Sequence, residues 1–311
     1  MKSVKWRYLI VFFSFSTAFL LFAQQQLKDE ENWPKSIEDF NNRHWVSAHP
    51  IPKEMSFADE AVPLQNPDIQ ERLDREILVN AYWQSNAFLL LKRIHKYGPL
   101  IDSILMAEAV PLDFKYLAVI ESGLQNATSP AGAKGFWQFM RSTAREFDLE
   151  VNANVDERFN LVLATQAAAR YLKQARDEFG SWTLAAASYN AGRTGIRREL
   201  QRQGVSDYYD LLLNEETSRY LFRLLAVKRL LEEPEQYGFQ YNNDHLYQRI
   251  PTRKVIVDTA VTDFVEFAEQ FGINYKILKI HNPWLREGHL NNASRKVYTI
   301  DIPEPGYYTV P

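Results

Sequence analysis

One carboxylate, Glu121, closes a stretch with helical apolar spacing, and the segment Gly132-Ala133-Lys134-Gly135-Phe136-Trp137-Gln138-Phe139-Met140 follows shortly after it. Glu121 would lie in the last turn of that helix, where the negative end of the helix dipole disfavours an anion. Its neighbours Val119, Ile120 and Leu124 are apolar, and desolvation acts in the same direction. A carboxyl that keeps its proton near neutral pH is what a general acid requires. On its own the residue has a plainer reading, since most glutamates on amphipathic helices are solvated. The segment beyond it adds content. Ala131, Gly132, Ala133 and Gly135 would let backbone approach a bulky ligand closely, while Trp137 and Gln138 offer a stacking face and an amide suited to a sugar. Further along, Tyr189 and Asn190 put a phenol beside an amide at a helix end, and Glu216-Thr217 with Tyr220 start another helix with a second phenol. Each of these has an alternative as a turn, core or helix-terminus residue. Their joint order is what points to a cleft.

Elements must hold these groups in place. The pattern predicts a helix over 111–122, opened by Pro111, striped by Phe114, Leu117 and Ala118, and closed by Gly123 in a left-handed cap. Upstream, a helical run starts at Pro67, carries Leu73, Ile77, Tyr82, Phe88, Leu89 and Leu91, and stops at Gly98-Pro99; a short helix over 100–107 follows. Downstream, helices are predicted over 142–147, 160–179, 182–189 and 216–231. The second of these is rich in alanine (Ala164, Ala167, Ala168, Ala169), which lets a neighbour pack closely. Ser181 caps the third, Asn190-Ala191-Gly192 ends it, and Pro234 follows the last. Nothing over 66–235 alternates for long, so this part is mainly α. The tail differs. Residues 254–258 and 297–302 read as strands, with Tyr298, Ile300 and Ile302 on one face. Two helices lie between them, the first capped by Thr262 and ending at Gly272, the second capped by Asn274 and ending at Asn282-Pro283. That order makes a small separate module, joined through 235–249.

Composition narrows the class. Of 311 residues, 24% are charged and 46% hydrophobic, ordinary for a globular protein. The formal net charge of −3 gives no support for a nucleic-acid partner. Cysteine is absent, which excludes disulfides, a thiol nucleophile, a Cys-based metal site and a lipoprotein anchor. The six histidines (His44, His49, His95, His245, His281 and His289) show no metal-ligand spacing, and no serine belongs to a recognisable triad. Lys2, Lys5 and Arg7 precede an apolar run over 8–22, with Ala23 before the polar Gln24-Gln25-Gln26. Residues 1–23 therefore read as an export signal, with an uncleaved single-span anchor as the alternative. Residues 24–65, polar with scattered prolines, read as a linker.

Taken in order, Glu121-Ser122, then Ser129-Pro130-Ala131-Gly132-Ala133-Lys134-Gly135-Phe136-Trp137-Gln138, then Tyr189-Asn190-Ala191-Gly192, then Glu216-Thr217-Ser218-Arg219-Tyr220 resemble the lytic murein transglycosylases with a soluble-lytic-transglycosylase (SLT) domain. The resemblance spans about 66–235, and residues 73–117 resemble the membrane-bound D-type subgroup. The tail over 250–311, with Asn282-Pro283-Trp284-Leu285, resembles a divergent LysM-like module. The resemblance implies a mainly α, goose-type lysozyme-like domain followed by a small α+β module. It implies Glu121 as sole catalytic acid and base, a sugar site lined by Ser129, Gln138, Met140, Tyr189, Asn190 and Tyr220, and support from Ser122, Trp137 and Glu216. The implied partner is the peptidoglycan glycan strand in the periplasm or cell envelope, cleaved to a 1,6-anhydro sugar without cofactor or metal. Arg141 stands where many relatives have proline. Two other readings remain. A lysozyme-type hydrolase would need a second carboxylate, for which Asp148, Glu150 and Asp156 are candidates; a non-catalytic glycan-binding protein would need none.

Overall fold

The computed structural model describes residues 48–309. The export-signal reading and the first part of the linker reading lie outside the described residues. Two short strands, β1 (Ser56–Phe57) and β2 (Glu60–Ala61), pair antiparallel at the start. Here the structure corrects the linker boundary at residue 65. Phe57, Val62 and Leu64 are buried in the main core, and the Phe57 ring packs edge-on to Phe114 with centroids 5.0 Å apart. Sparse apolar residues among prolines hid a segment whose few large side chains all point inward.

Helices α1 (Pro67–Tyr82) and α2 (Gln84–Ala107) follow, broken at Trp83. The stop expected at Gly98-Pro99 does not occur: Pro99 lies inside α2. A mid-helix proline costs about 3 kcal/mol. Burial outweighs it, because Gly98 is buried against Ile94, and Ile101 and Leu105 extend the buried face beyond the proline. A 3₁₀ turn (Leu112–Phe114) leads into α3 (Lys115–Ser122), which ends with Gly123 at φ 61°, the left-handed cap expected.

Next come α4 (Arg141–Glu146) and α5 (Leu161–Phe179), the latter capped by the Asn160 side chain, which accepts from the Leu163 amide. After them stand α6 (Trp182–Ala191), α7 (Arg193–Gln203) and α8 (Glu215–Glu232). The alanines Ala164, Ala167, Ala168 and Ala169 of α5 are fully buried, and α5 packs on α6 and α2. Helix α6 is buried from Thr183 through Ser188. Its N-terminus is held by Glu60, whose carboxylate accepts from the Trp182 and Thr183 amides at 2.6 and 2.8 Å and from the Ser181 hydroxyl at 2.8 Å. Burial alone would raise the Glu60 pKa, but these bonds together bring it below its ordinary 4.5. Helix α8 packs against α1, α3 and α6, and so becomes the spine on which the other site-bearing elements rest.

The tail has the expected order. Strand β3 (Thr252–Val257) pairs antiparallel with β4 (Tyr298–Pro303), Val255 opposite Ile300. Between them are α9 (Phe264–Glu269) and α10 (Tyr275–His281). Asn274 caps α10 as expected. Asp263, rather than Thr262, caps α9, its carboxylate accepting from the Val265 amide at 2.6 Å. Phe264, Leu278, Trp284, Ile300 and Ile302 form a second core, and Val155 and Phe159 of the helical domain belong to it. No helix among the described residues is long and apolar enough to cross a membrane.

Candidate active site

Helix α3 brings Glu121 to its last turn. The turn is fastened by two cations: Arg93 on α2 donates to the Gly123 carbonyl at 3.1 Å, and Arg223 on α8 to the Ile120 carbonyl at 3.2 Å. Cations there satisfy orphan carbonyls and favour the dipole. Glu121 itself is half-buried, and the phenol of Tyr220, itself buried, donates to its Oε1. Desolvation dominates and raises the Glu121 pKa above the ordinary 4.5; the Tyr220 bond and the Arg223 charge pull it down, and Glu216 pushes it up. The net direction is upward, so the carboxyl holds its proton more firmly than a solvated one.

Tyr189 on α6 lies near enough to Glu121 to feel its charge. Its hydroxyl donates to the Trp137 carbonyl at 2.8 Å, and its ring meets those of Tyr171, Phe139 and Trp137 at 5.1, 5.8 and 6.5 Å. Burial and the Glu121 charge raise both the Tyr189 and Tyr220 pKa values well above 10.0. Both phenols therefore stay neutral and act as donors. Asn190 is oriented from both ends: its Nδ2 donates to Glu216 Oε1 at 3.1 Å, and its Oδ1 accepts from the Thr217 hydroxyl at 2.8 Å. Glu216 is exposed. Arg219 donates to the buried Glu76 of α1 at 2.7 Å, which anchors the start of α8.

The loop over 123–140 follows α3 and carries Ser129 and Gln138. It folds on itself through bonds from the Ser129 amide to the Ala133 carbonyl (2.9 Å) and from the Gly135 amide to the Ala127 carbonyl (2.9 Å). Ser122 ties it to α3, its hydroxyl donating to the Phe136 carbonyl at 2.8 Å, so Ser122 supports rather than reacts. Ser129 accepts from the Ala133 amide at 3.0 Å. Gln138 adopts φ 47°, unusual outside glycine, and its Nε2 donates to the Gly135 carbonyl at 2.7 Å and the Ala127 carbonyl at 3.2 Å. Met140 occupies the position before α4 without a side-chain capping bond and is 44% exposed. Strained backbone of this kind persists where surrounding structure over-determines it, and it clusters at ligand sites.

Two expectations fail here. Trp137 is 0% exposed, and its Nε1 donates to the Thr165 hydroxyl at 2.9 Å; it is core and offers no face to a sugar. Gly135 is small for an internal reason: a Cβ there would sit 1.9 Å from the Arg158 carbonyl oxygen. Arg93 and Arg223, which the sequence reading passed over, carry the helix end. Arg223 lies three residues after Tyr220 on α8, a spacing that puts both on one face, and that was the signal available.

Residues 104–212 match the transglycosylase SLT domain. The chain carries an SLT domain. Residues 253–306 match the soluble lytic transglycosylase C-terminal LysM-like domain. The chain is 28% identical over 215 residues to membrane-bound lytic murein transglycosylase D of Escherichia coli (strain K12), an alignment covering 65% of this chain and 43% of that relative. The protein of the same name from Escherichia coli O6:H1 aligns with the same figures. The chain thus spans under half the length of the curated relatives it matches. Glu121, the 123–140 loop and α6 all fall within the SLT match, whereas Tyr220 lies beyond its end.

Removing the Tyr220 hydroxyl tests the electrostatics of Glu121 directly. In Tyr220→Phe the carboxylate loses its donor, so its pKa rises further. If activity needs protonated Glu121, the alkaline limb of the pH–rate profile moves to higher pH, and the maximal rate falls roughly tenfold for the lost charge-assisted bond. An unshifted or acid-shifted limb would contradict this electrostatic assignment.

Proposed function

We propose that the protein is a peptidoglycan lytic transglycosylase that uses Glu121 as its only general acid and base. The observation that carries this reading is the environment of Glu121: a proton-holding carboxyl bonded to Tyr220, with the exposed Glu216 as the carboxylate that bears on it. The SLT match and the names of the relatives favour the same chemistry. Glycosidases ordinarily pair two carboxylates. Of the candidates for a second one, Asp156 is engaged by Arg158 through two bonds of 2.8 Å, and Glu150 accepts from Lys296 and Tyr298 at 2.6 and 2.9 Å. Asp148 is an exposed residue just after α4. The hydrolase reading is therefore the weaker one.

The reaction then runs as follows. Protonated Glu121 gives its proton to the β-1,4 oxygen between N-acetylmuramic acid and N-acetylglucosamine, and the C1–O bond breaks with its electron pair going to that oxygen. The 2-acetamido group shelters the positive C1. Glu121, now a carboxylate, takes the proton of the muramic C6 hydroxyl, and O6 closes on C1. Glu121 ends protonated, the sugar ends as a 1,6-anhydro ring, and no water is consumed. Ser129, Gln138, Met140, Tyr189 and Asn190 line the glycan path, with Tyr220 steadying the acid as its charge changes. Envelope localisation follows from the substrate. Incubating the protein with purified sacculi tests the reading: soluble glycan fragments are expected, and binding without release would favour a non-catalytic glycan-binding protein.

A further inference from the structure

The segment over 150–159 lies between two parts of the molecule that the sequence separates by more than a hundred residues. On one side it is built into the LysM-like module. The Asp156 amide donates to the Trp284 carbonyl at 2.9 Å, and the Arg286 amide to the Asn154 carbonyl at 2.9 Å. The Asn154 side chain donates to the His289 carbonyl and accepts from the Asn291 amide, each at 2.8 Å. Lys296 pairs with Glu150 at 2.6 Å and Glu157 at 2.8 Å, while Val155 and Phe159 lie in the module's core. On its other side the same segment holds the 123–140 loop. The buried Arg158 is locked by Asp156, and its Nη1 donates to the Gly132 and Phe139 carbonyls at 3.2 Å each. Gly135 lies directly against the Arg158 carbonyl.

We propose that the C-terminal module is a positioning element of the glycan cleft: by holding Asn154 and Asp156 it fixes Arg158, and Arg158 fixes the loop that carries Ser129 and Gln138. The proposal rests on the reading of that loop as part of the glycan path. Arg158 is a positioning residue, since it acts through the loop carbonyls. A module docked along residues 150–159 through backbone bonds, ion pairs and a shared core differs from a tethered binding domain that only raises local glycan concentration. Glu121 depends on α3, Tyr220 and Arg223, none of which the module touches through these bonds. Loosening the relay should therefore weaken glycan binding more than the chemical step.

The test uses the full chain with Asn154→Ala, which removes the side-chain bonds to the module, and Arg158→Lys, which keeps a charge against Asp156 but loses the fork that reaches Gly132 and Phe139. Arg202→Ala, at a surface pair with Glu199, serves as control. Amide hydrogen exchange is expected to quicken about tenfold in peptides over 127–140 while α5 and α8 keep the parent protection. On sacculi, KM rises several-fold and kcat stays within about twofold of the parent. Unchanged loop exchange in Asn154→Ala overturns the proposal. So does a kcat loss at constant KM, the signature of a merely smaller folded fraction. If the parent chain shows no turnover, the assignment of Glu121 chemistry fails separately, and the exchange measurement alone still decides the coupling.

Discussion

Replacing Glu121 with glutamine should abolish fragment release from sacculi, a loss of at least about 10²–10⁴-fold, and leave the chain folded. The amide can keep a hydrogen bond with Tyr220 but cannot give up a proton to a glycosidic oxygen. Stability supplies a second readout with a definite sign. Burial raises the Glu121 pKa above 4.5 in the fold. The folded state therefore binds this proton more tightly than the unfolded chain does, and stability is lost as pH climbs past the unfolded value and through the folded one. Glutamine carries no such titration. The thermal midpoint of Glu121→Gln should exceed that of the parent at about pH 8, and the two should converge as pH falls below the unfolded value. A midpoint lower in the variant at alkaline pH would mean that the carboxylate is stabilised rather than strained in its pocket.

The largest effect on the fold is expected from Gly135→Ala. At φ 81° an alanine is already strained, and its Cβ would fall 1.9 Å from a backbone oxygen, that of Arg158. No side-chain rotation relieves a clash with backbone; the loop or the 150–159 segment must move. Both are pinned, the first by Ser122 and the Gly135–Ala127 bond, the second by the LysM-like module. A destabilisation of roughly 3–5 kcal/mol follows, read as a drop in urea midpoint at unchanged m-value. Gly132→Ala shares the positive φ but meets nothing within 4 Å, so it should cost roughly 1–2 kcal/mol. Equal effects at the two glycines would show that steric contact with Arg158 is absent.

Much of the helical frame was legible because local signals agreed with the packing. Gly123 ends α3, while Ser181 and Asn274 cap their helices through side-chain bonds. Strand β4 buries Tyr298, Ile300 and Ile302 on one face, as its sequence alternation suggested. The failures share a cause: tertiary contacts that local pattern does not encode. Helix α7 buries only Ile196, so it has no apolar stripe to announce it. Pro99 is carried through α2 by the burial around it. Phe57 and Glu60, in a polar proline-containing stretch, supply a core side chain and the helix anchor of α6. At the candidate site Glu121 meets Tyr220, two residues that the resemblance grouped together, whereas the Asn190–Glu216 bond had no signal in the sequence. The burial of Trp137 had none either, since nothing in its neighbours distinguishes a buried indole with an internal acceptor from an exposed stacking face.

Mass analysis of the fragments released from sacculi in ¹⁸O-labelled water tests the lone-acid chemistry most directly. The lone-acid reaction should give fragments lighter by one water than the hydrolytic ones, with no reducing end and no label incorporated. Labelled, reducing products would show that water attacks C1, and that a second group besides Glu121 must activate it.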